Sequence, residues 1–194
     1  AKNLLESEIT PIETTTGLVK DDEQPGKAKL EKITSLRPAF KVDGTITAAN
    51  SSSISDGASS LIVTSEKGLK GRKPLAQIIG HATYSIHPSE FTIAPIGAIQ
   101  KLLDDIQWEI EDVDVFEINE AFAMVTMLAI QELKLDAAKV NIYGGACAQG
   151  HPIGSTGSRL VVTLAHAMKR LNKKRGVAAL CIGGGEATAV ALER

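Results

Sequence analysis

In DVDVFEINEAFAMVTMLAIQEL (residues 112–133) the side-chain periodicity changes from that of a strand to that of a helix. Residues 112–118 alternate acidic and apolar side chains, which predicts a strand that ends at Asn119. Residues 120–133 are apolar nearly all round, which predicts a buried central helix. A strand followed at once by a helix is typical of a layered α/β domain.

Further strands and helices are predicted on both sides of this unit. Apolar spacing predicts amphipathic helices over residues 96–106 and 160–171. Short apolar runs, two of them separated by three glycines, predict strands at Ala58–Ser65, Pro74–Tyr84, Val140–Tyr143, Val177–Ile182 and Ala187–Leu192. The alternation of strands and helices places the chain in the α/β class.

The composition excludes several classes of protein. Of the 194 residues, 43% are hydrophobic and 23% charged, which is too apolar for a disordered chain. A net charge of −2 and an aromatic content of 4% argue against a nucleic-acid partner. A short basic run, residues 169–175, suits the end of a helix, where cations are favoured. The two cysteines make no disulfide framework and fit a reducing compartment.

Nothing in the sequence predicts a membrane association. The longest apolar run, Ala121–Ile130, is about half the length of a membrane helix. The opening residues lack the basic start and apolar stretch of a signal peptide. We therefore expect a soluble protein of the cytoplasm, and the mitochondrial and peroxisomal matrices stay open.

The first 44 residues have weak apolar periodicity and three prolines. A compact domain rarely begins with so long an irregular stretch. Two interpretations follow from the pattern: a solvated N-terminal arm, or a segment that something normally precedes.

The glycine-rich loop GGACAQGHPIGSTGSR (residues 144–159) is the densest chemical signal. It lacks the lysine of a phosphate-binding loop, so that interpretation fails. What remains is His151, fixed between Gly150 and Pro152 just before a helix N-terminus. Taken alone, a loop histidine is more often a surface or capping residue. No His or Cys pair has the spacing of a zinc site.

Three polar side chains stand at junctions between elements. Cys181 ends a strand before three glycines, Asn119 ends another strand, and His151 closes the glycine-rich loop. Cys181 alone could be a buried structural cysteine, and Cys147, inside the loop, could be structural or reactive. Together the junctions suggest one site at one edge of the sheet.

NEAFA (119–123), GGACAQGHPIGSTGSR and CIGGGEA (181–187) resemble the three C-terminal motifs of the thiolases, the acetyl-CoA acetyltransferase family. ITSLRPAF (33–40) and TITAANSSSISDGASS (45–60) are similar to thiolase segments too, so the resemblance covers essentially the whole chain. It implies a thiolase-like fold: a layered α/β/α C-terminal domain with a mixed five-stranded sheet.

The resemblance also implies roles for individual residues. Cys181 would be the acid/base that removes the α-proton of acetyl-CoA. His151 would activate an acyl-accepting cysteine, and Asn119, through a water, would complete an oxyanion site. The backbone N–H of Gly183 would serve a second oxyanion hole. No position here matches the acyl-accepting cysteine, which in thiolases belongs to the N-terminal half.

Two further residues would contact coenzyme A. Ser52 would hydrogen-bond the pantetheine arm and Phe122 would line its channel. Ala49 and Ser53 stand where thiolases often have glycine, which narrows the implied channel beside Ser52. At the position of Glu186, after the three glycines, thiolases frequently have other residues, and we have no physical explanation for this glutamate.

A thiolase subunit is roughly twice this length. The resemblance implies that residues 1–55 are the remnant of a CoA-binding loop domain, 56–69 the end of the N-terminal half, and 70–194 the C-terminal domain. Expected partners are the missing N-terminal half and further copies in a homo-oligomer. Coenzyme A thioesters would be substrates, with no cofactor.

The implied reaction is the exchange of two acetyl-CoA for acetoacetyl-CoA and CoA. Three alternatives stay open: a 3-ketoacyl-CoA thiolase for longer chains, a silent acyl-CoA- or lipid-binding module, and a Cys-His hydrolase that uses Cys181 and His151.

Overall fold

The computed structural model describes residues 4–194. In chain order its strands are β1 (Ile12–Thr14), β2 (Gly17–Val19), β3 (Gln77–Ser85), β4 (Val115–Ile118), β5 (Arg175–Ile182) and β6 (Glu186–Glu193). Its α-helices are α1 (Gln24–Lys27), α2 (Glu66–Leu69), α3 (Ala94–Ile106), α4 (Ala123–Glu132), α5 (Ala146–Gln149) and α6 (Thr156–Arg170). Short 3₁₀ helices span Leu30–Ser35, Pro88–Ile93, Ile110–Asp112 and Ala137–Lys139. No helix within residues 4–194 is long and apolar enough to cross a membrane.

Strands β3 to β6 form one mixed sheet in the order β3-β6-β5-β4. The outer strand β4 runs parallel to β5, whereas β6 is antiparallel to both of its neighbours. β5 and β6 form a hairpin around the glycine turn 183–185, in register from Arg175↔Glu193 to Ile182↔Glu186. The parallel pairing of β4 and β5 brings the carboxyl ends of both strands to one edge.

Helices cover both faces of this sheet. On one face α3 and α4 pack into a core cluster that includes Leu102, Phe116 and Val125. On the other face α6 packs through Leu160, Leu164 and Met168. The apolar stripe that the sequence predicts for α6 is therefore the stripe that it buries, and the predicted α/β class and α/β/α layering are confirmed.

The residues before β3 form small elements on the outside of this domain. β1 and β2 make a three-residue antiparallel ladder from Ile12↔Val19 to Thr14↔Gly17, and all six residues are exposed. Helices α1 and α2 have four residues each and bury none of them. This region contributes no residue to the apolar core of the described chain, which begins at Ala82.

Two strand predictions are wrong. Residues 58–65 pair with no strand of the described chain, and Leu61, Ile62 and Val63 are exposed. A β-branched run forms a ladder only where a partner edge is available. The predicted strand Val140–Tyr143 is reduced to a single bridge between Val140 and Phe116. The sheet therefore has four strands instead of the five expected.

Residues 112–133 also differ in detail from their prediction. The strand begins at Val115, and all four of its residues are buried, including Glu117, so acidic side chains do not form a solvated face. The helix begins at Ala123 because Phe122 bridges to Ser51. It is not buried on every side: Met127 is 66% exposed and Met124 37%.

Candidate active site

The carboxyl ends of β4 and β5 bring Asn119 close to Cys181. Ile118 pairs with Ala179, and the Asn119 N–H donates to the Ala179 carbonyl at 2.9 Å. Asn119 thus continues the β4 ladder by one residue and lies beside Ala179, two residues before Cys181, which is the second-last residue of β5. The sheet edge proposed from the sequence exists in the structure.

The Asn119 side chain is buried without a partner. The residue is 1% exposed, and neither its Oδ1 nor its Nδ2 has a hydrogen-bond partner among residues 4–194. Buried amides are almost always hydrogen-bonded, and leaving one unpaired costs about 1–3 kcal/mol. An amide kept in this state indicates a place for a polar group that the described chain does not supply, such as a water or a ligand oxygen.

His151 is held by both its backbone and its ring. Gly150, at φ +89°, turns the chain out of α5, and the His151 N–H then donates to the Ser53 carbonyl at 2.8 Å. The ring Nδ1 lies 2.7 Å from Thr156 Oγ1. That hydroxyl donates its proton to the Pro152 carbonyl at 3.0 Å. It therefore accepts from His151, which carries its proton on Nδ1 and leaves Nε2 as a base.

The charge state of His151 fits this assignment. Burial lowers the pKa of the imidazole, and the positive charge of Arg159 lowers it further. Both effects disfavour the imidazolium, so the ring is a neutral base at pH 7. A neutral imidazole with a free Nε2 can accept a proton from a nucleophile.

Helix α6 brings His151 to the same edge as Asn119. The helix begins at Thr156 and runs back toward the start of β5. Its first turn therefore lies over the end of β5: a Cβ on Gly157 would stand 3.9 Å from Leu180 Cδ1. Cys181, the next residue, faces the other way and packs in the cluster with α3 and α4. Cys181 thus lies on the face of the sheet that α3 and α4 cover, and His151 precedes the helix on the opposite face. Among the described residues no hydrogen bond joins Cys181, His151 and Asn119.

Cys181 precedes an open turn. It is 8% exposed, and burial raises the pKa of its thiol. Gly185, at φ +89°, has no room for a Cβ, which would strike the Ile86 carbonyl oxygen. In contrast, a Cβ on Gly183 or Gly184 would meet nothing within 4 Å. The backbone at Gly183 is therefore accessible to a ligand beside the buried thiol.

Ser52 lies on a loop that contacts the residues directly before α4, which include Phe122. The Ser52 N–H and its Oγ both donate to the Ala121 carbonyl, at 3.2 and 3.1 Å. The Phe122 ring stands between those of Phe40 and Phe91, with centroids 6.0 and 6.3 Å away. The segment around Ser52 is thus fixed to the residues that directly follow Asn119.

Cys147 has a structural environment. Its N–H donates to Glu120 Oε2 at 3.0 Å, and its Sγ lies 3.9 Å from the Glu120 carbonyl. Burial and the Glu120 carboxylate raise the pKa of this thiol to about 12. A thiol that resists ionisation is a poor nucleophile, so this environment favours a structural role for Cys147.

The sequence analysis missed Glu117 and Arg159, which lie behind the site. Glu117 is 1% exposed, and burial raises its pKa to about 8. The sequence did contain a signal for a buried carboxyl: a glutamate in the middle of an apolar strand, directly after Phe116.

Residues 4–194 contain no cluster of three or more His, Cys, Asp or Glu side chains suited to a metal ion.

Comparisons with known proteins decide the family. The family model described as the C-terminal domain of thiolase matches residues 72–194, and the one for the N-terminal domain matches residues 1–67. The chain belongs to the thiolase family. Both matches agree with the motif resemblance, whose segments all lie within these two ranges.

Individual thiolases are similar over nearly the whole chain. A probable acetyl-CoA acetyltransferase of Dictyostelium discoideum is 51% identical over 91% of this chain and 43% of its own length. The crystal structure of the Bacillus anthracis acetyl-CoA acetyltransferase has a TM-score of 0.93 and 40% identity, covering 98% of this chain and 50% of that one. A thiolase of Ascaris suum in complex with coenzyme A has a TM-score of 0.90 and 39% identity, covering 99% and 50%. The chain spans about half the length of the curated relatives it matches.

Proposed function

We propose that this chain is the C-terminal half of an acetyl-CoA C-acetyltransferase, which converts two acetyl-CoA to acetoacetyl-CoA and CoA and catalyses the reverse thiolysis. The observation that carries the proposal is the buried Asn119 amide, unpartnered at the sheet edge that also presents His151 and Cys181. A hydrogen-bond donor placed before any oxyanion forms there can stabilise it, which typically lowers a barrier by about 2.7–4 kcal/mol.

His151 and Asn119 would serve the acylation step. His151 Nε2 accepts the thiol proton of an acyl-accepting cysteine that lies outside this chain. The resulting thiolate attacks the thioester carbonyl of acetyl-CoA, and the proton passes to the departing CoA sulfur. Asn119, through a water, donates to the carbonyl oxygen as negative charge builds on it.

Cys181 and Gly183 would serve the condensation step. The Cys181 thiolate removes the α-proton of a second acetyl-CoA, and the enolate carbon attacks the acyl group on the cysteine of the other half. A C–C bond forms while the Gly183 N–H stabilises the tetrahedral oxyanion, and the acyl C–S bond then breaks. The cysteine of the other half leaves as a thiolate and takes the proton from Cys181, which returns Cys181 to its thiolate state. Burial raises the Cys181 pKa, so the thiol holds its proton well for the reverse step, in which it protonates the enolate.

The remaining features of this proposal concern binding and assembly. Ser52 and Phe122 would contact the pantetheine arm of coenzyme A, and CoA thioesters would be the substrates, with no cofactor. Three further points stay predictions: the assembly into a homo-oligomer, the cytoplasmic location, and the division of the chain into residues 1–55, 56–69 and 70–194. The relatives named above support the substrate class, since two are named for acetyl-CoA and one was solved with coenzyme A.

The test is to join this chain to the half of the Bacillus anthracis enzyme that it does not cover. CoA-dependent loss of acetoacetyl-CoA is then measured for the chain alone and for the joined protein. We expect turnover by the joined protein and none by the chain alone. Turnover by the chain alone would contradict the assignment of the acyl acceptor to another half.

Three other outcomes would point to the alternatives. Preference for longer 3-ketoacyl-CoA substrates would indicate a 3-ketoacyl-CoA thiolase. Binding of CoA without turnover by the joined protein would indicate a silent module. Release of CoA from a thioester without added CoA would indicate a hydrolase.

Cys147→Ala is the matched control for the cysteine variants, because it leaves the residues of the proposed site unchanged.

A further inference from the structure

A buried polar cluster lies directly behind the candidate site. Glu117 and Asn119 are two residues apart on extended backbone, so both point to the face of the sheet that α6 covers. Glu117 Oε1 is buried and has no hydrogen-bond partner in the described part of the chain. Burial disfavours the charged form of a carboxyl in this position, so its charge state depends on the cations near it.

Arg159, in the first turn of α6, is the cation that faces it. Its Nη1 donates to Gln149 Oε1 at 2.8 Å, while its Nε and Nη2 are buried and without partners among residues 4–194. Its positive charge favours ionisation of Glu117, against the effect of burial. The carboxylates that act on Arg159 are, in decreasing order, Glu117, Asp22, Glu8 and Glu120.

Through Gln149 the guanidinium reaches the glycine-rich loop. Gln149 Nε2 donates to the Gly144 carbonyl at 3.2 Å, so this one side chain closes the loop from residue 144 to residue 149. The next two residues are Gly150 and His151. The contact that Arg159 makes with Gln149, ten residues earlier in the chain, therefore lies two residues before His151.

Glu120 holds the same loop from the other side. Its Oε2 accepts from the Cys147 N–H at 3.0 Å, and a Cβ on Gly145 would strike its carboxylate. Glu120 directly follows Asn119. The loop that carries His151 and the strand end that carries Asn119 are thus joined by charged side chains on both sides.

We propose that Arg159 is a positioning residue: its guanidinium fixes the glycine-rich loop through Gln149, faces Glu117 on β4, and so sets both the place and the electrostatic environment of His151 relative to Asn119. It touches no substrate. The catalytic meaning of this role rests on the proposed function, but the contacts and the charge belong to the chain alone and can be measured without turnover.

The first test is the titration of the His151 ring by NMR in the 194-residue chain, assigned by comparison with His151→Gln. Arg159→Met removes the positive charge and should shift the His151 midpoint upward, because the imidazolium is then opposed by burial alone. Arg159→Lys keeps the charge and should leave the midpoint near that of the wild type. An unchanged midpoint in a folded Arg159→Met variant would overturn the proposal.

Arg175→Met is the matched control. Arg175 is likewise half-buried. Unlike Arg159 it is ion-paired, with its Nε 3.0 Å from Glu193 Oε1, and its guanidinium lies 4.5 Å from the centre of the Trp108 ring. It lies at the start of β5, at the opposite end of the strand from Cys181. The control loses a comparable set of contacts, so it should weaken folding without moving the His151 titration. An equal shift in both variants would show a general effect of unfolding and would count against Arg159.

A second variant keeps the test decisive if Arg159→Met does not fold. Gln149→Leu leaves the charge in place and removes the bond to the loop. We expect the amides of Gly150 and His151, which donate to Ala146 and Ser53, to exchange about tenfold faster with solvent. Unchanged exchange at both amides would overturn the proposed link between Arg159 and the loop.

Discussion

The region before β3 and the region from β3 onward differ in how far they bury their apolar side chains. From β3 onward, a four-stranded sheet buries apolar side chains on both faces beneath α3, α4 and α6. Among residues 4–76, before β3, no apolar residue is fully buried, and several are almost fully exposed: Val42 is 93% exposed and Ile62 94%. Residues 77–194 therefore contain the apolar core, whereas residues 4–69 have exposed apolar surface that is suited to contacts with further polypeptide.

The first region nevertheless reaches the candidate site. Ser52 bonds to Ala121, and the Ser53 carbonyl accepts from the His151 N–H. Glu8 accepts from Thr163 on α6 at 2.7 Å. These contacts give the exposed region a defined position on the domain, at the place where we propose that coenzyme A and the second half meet.

The largest expected effect separates the cores of the two regions. Leu102→Ala removes a side chain that is fully buried in α3 and should lower the free energy of unfolding by about 2–5 kcal/mol. Ile62→Ala, in the exposed run, should change it by less than about 0.5 kcal/mol. Urea unfolding of both variants measures this. Equal losses would mean that the first region has a core of its own.

A smaller effect depends on pH. Because burial raises the pKa of Glu117 from 4.5 to about 8, the native state keeps a proton that the unfolded chain has lost between these values. The free energy of unfolding should therefore fall as the pH rises through this window, and the fall should end above about pH 8. Glu117→Gln should flatten the profile by a total on the order of a few kcal/mol.

Urea unfolding at a series of pH values checks the Glu117 prediction. The matched control is Glu13→Gln in the exposed strand β1, which should leave the wild-type profile unchanged. A Glu117→Gln variant that keeps the full slope would show that Glu117 does not carry the proton.

The smallest effect compares one glycine from each region. Gly17 and Gly185 both have positive φ, at +121° and +89°, so alanine strains either turn by about 1 kcal/mol or more. A Cβ on Gly17 meets nothing within 4 Å, whereas one on Gly185 strikes the backbone of Ile86 and Pro88. Gly185→Ala should therefore lower the thermal midpoint more than Gly17→Ala. The reverse order would contradict the packing described for the β5–β6 turn.

Local patterns in the sequence predicted the elements whose pairing partners are close in the chain. β5, the glycine turn and β6 form a hairpin, so the two apolar runs and the glycines between them contain nearly all the necessary information. α6 was predicted for the same reason, since its apolar stripe alone shows which face is buried. The junctions between elements predicted that Asn119, Cys181 and His151 share one edge of the sheet, and the structure places Asn119 beside β5 near its carboxyl end.

Long-range pairing and buried charge could not be predicted in this way. Residues 58–65 have the composition of a strand, but composition does not show whether a partner edge exists. Glu117 continued an apparent alternation, so the pattern showed neither its burial nor the charge of Arg159, 42 positions further along, that acts on it. The partners of these residues are distant in sequence, and only the folded chain shows them.

The central claim, that this chain supplies the acid/base cysteine and another half supplies the acyl acceptor, is tested most directly with Cys181→Ala in the joined protein described above. The variant is incubated with acetyl-CoA, and the protein and the products are analysed by mass spectrometry. We expect an acetyl group on a cysteine of the added half and no acetoacetyl-CoA, whereas Cys147→Ala should make product normally. Condensation by Cys181→Ala at the unmodified rate would contradict it.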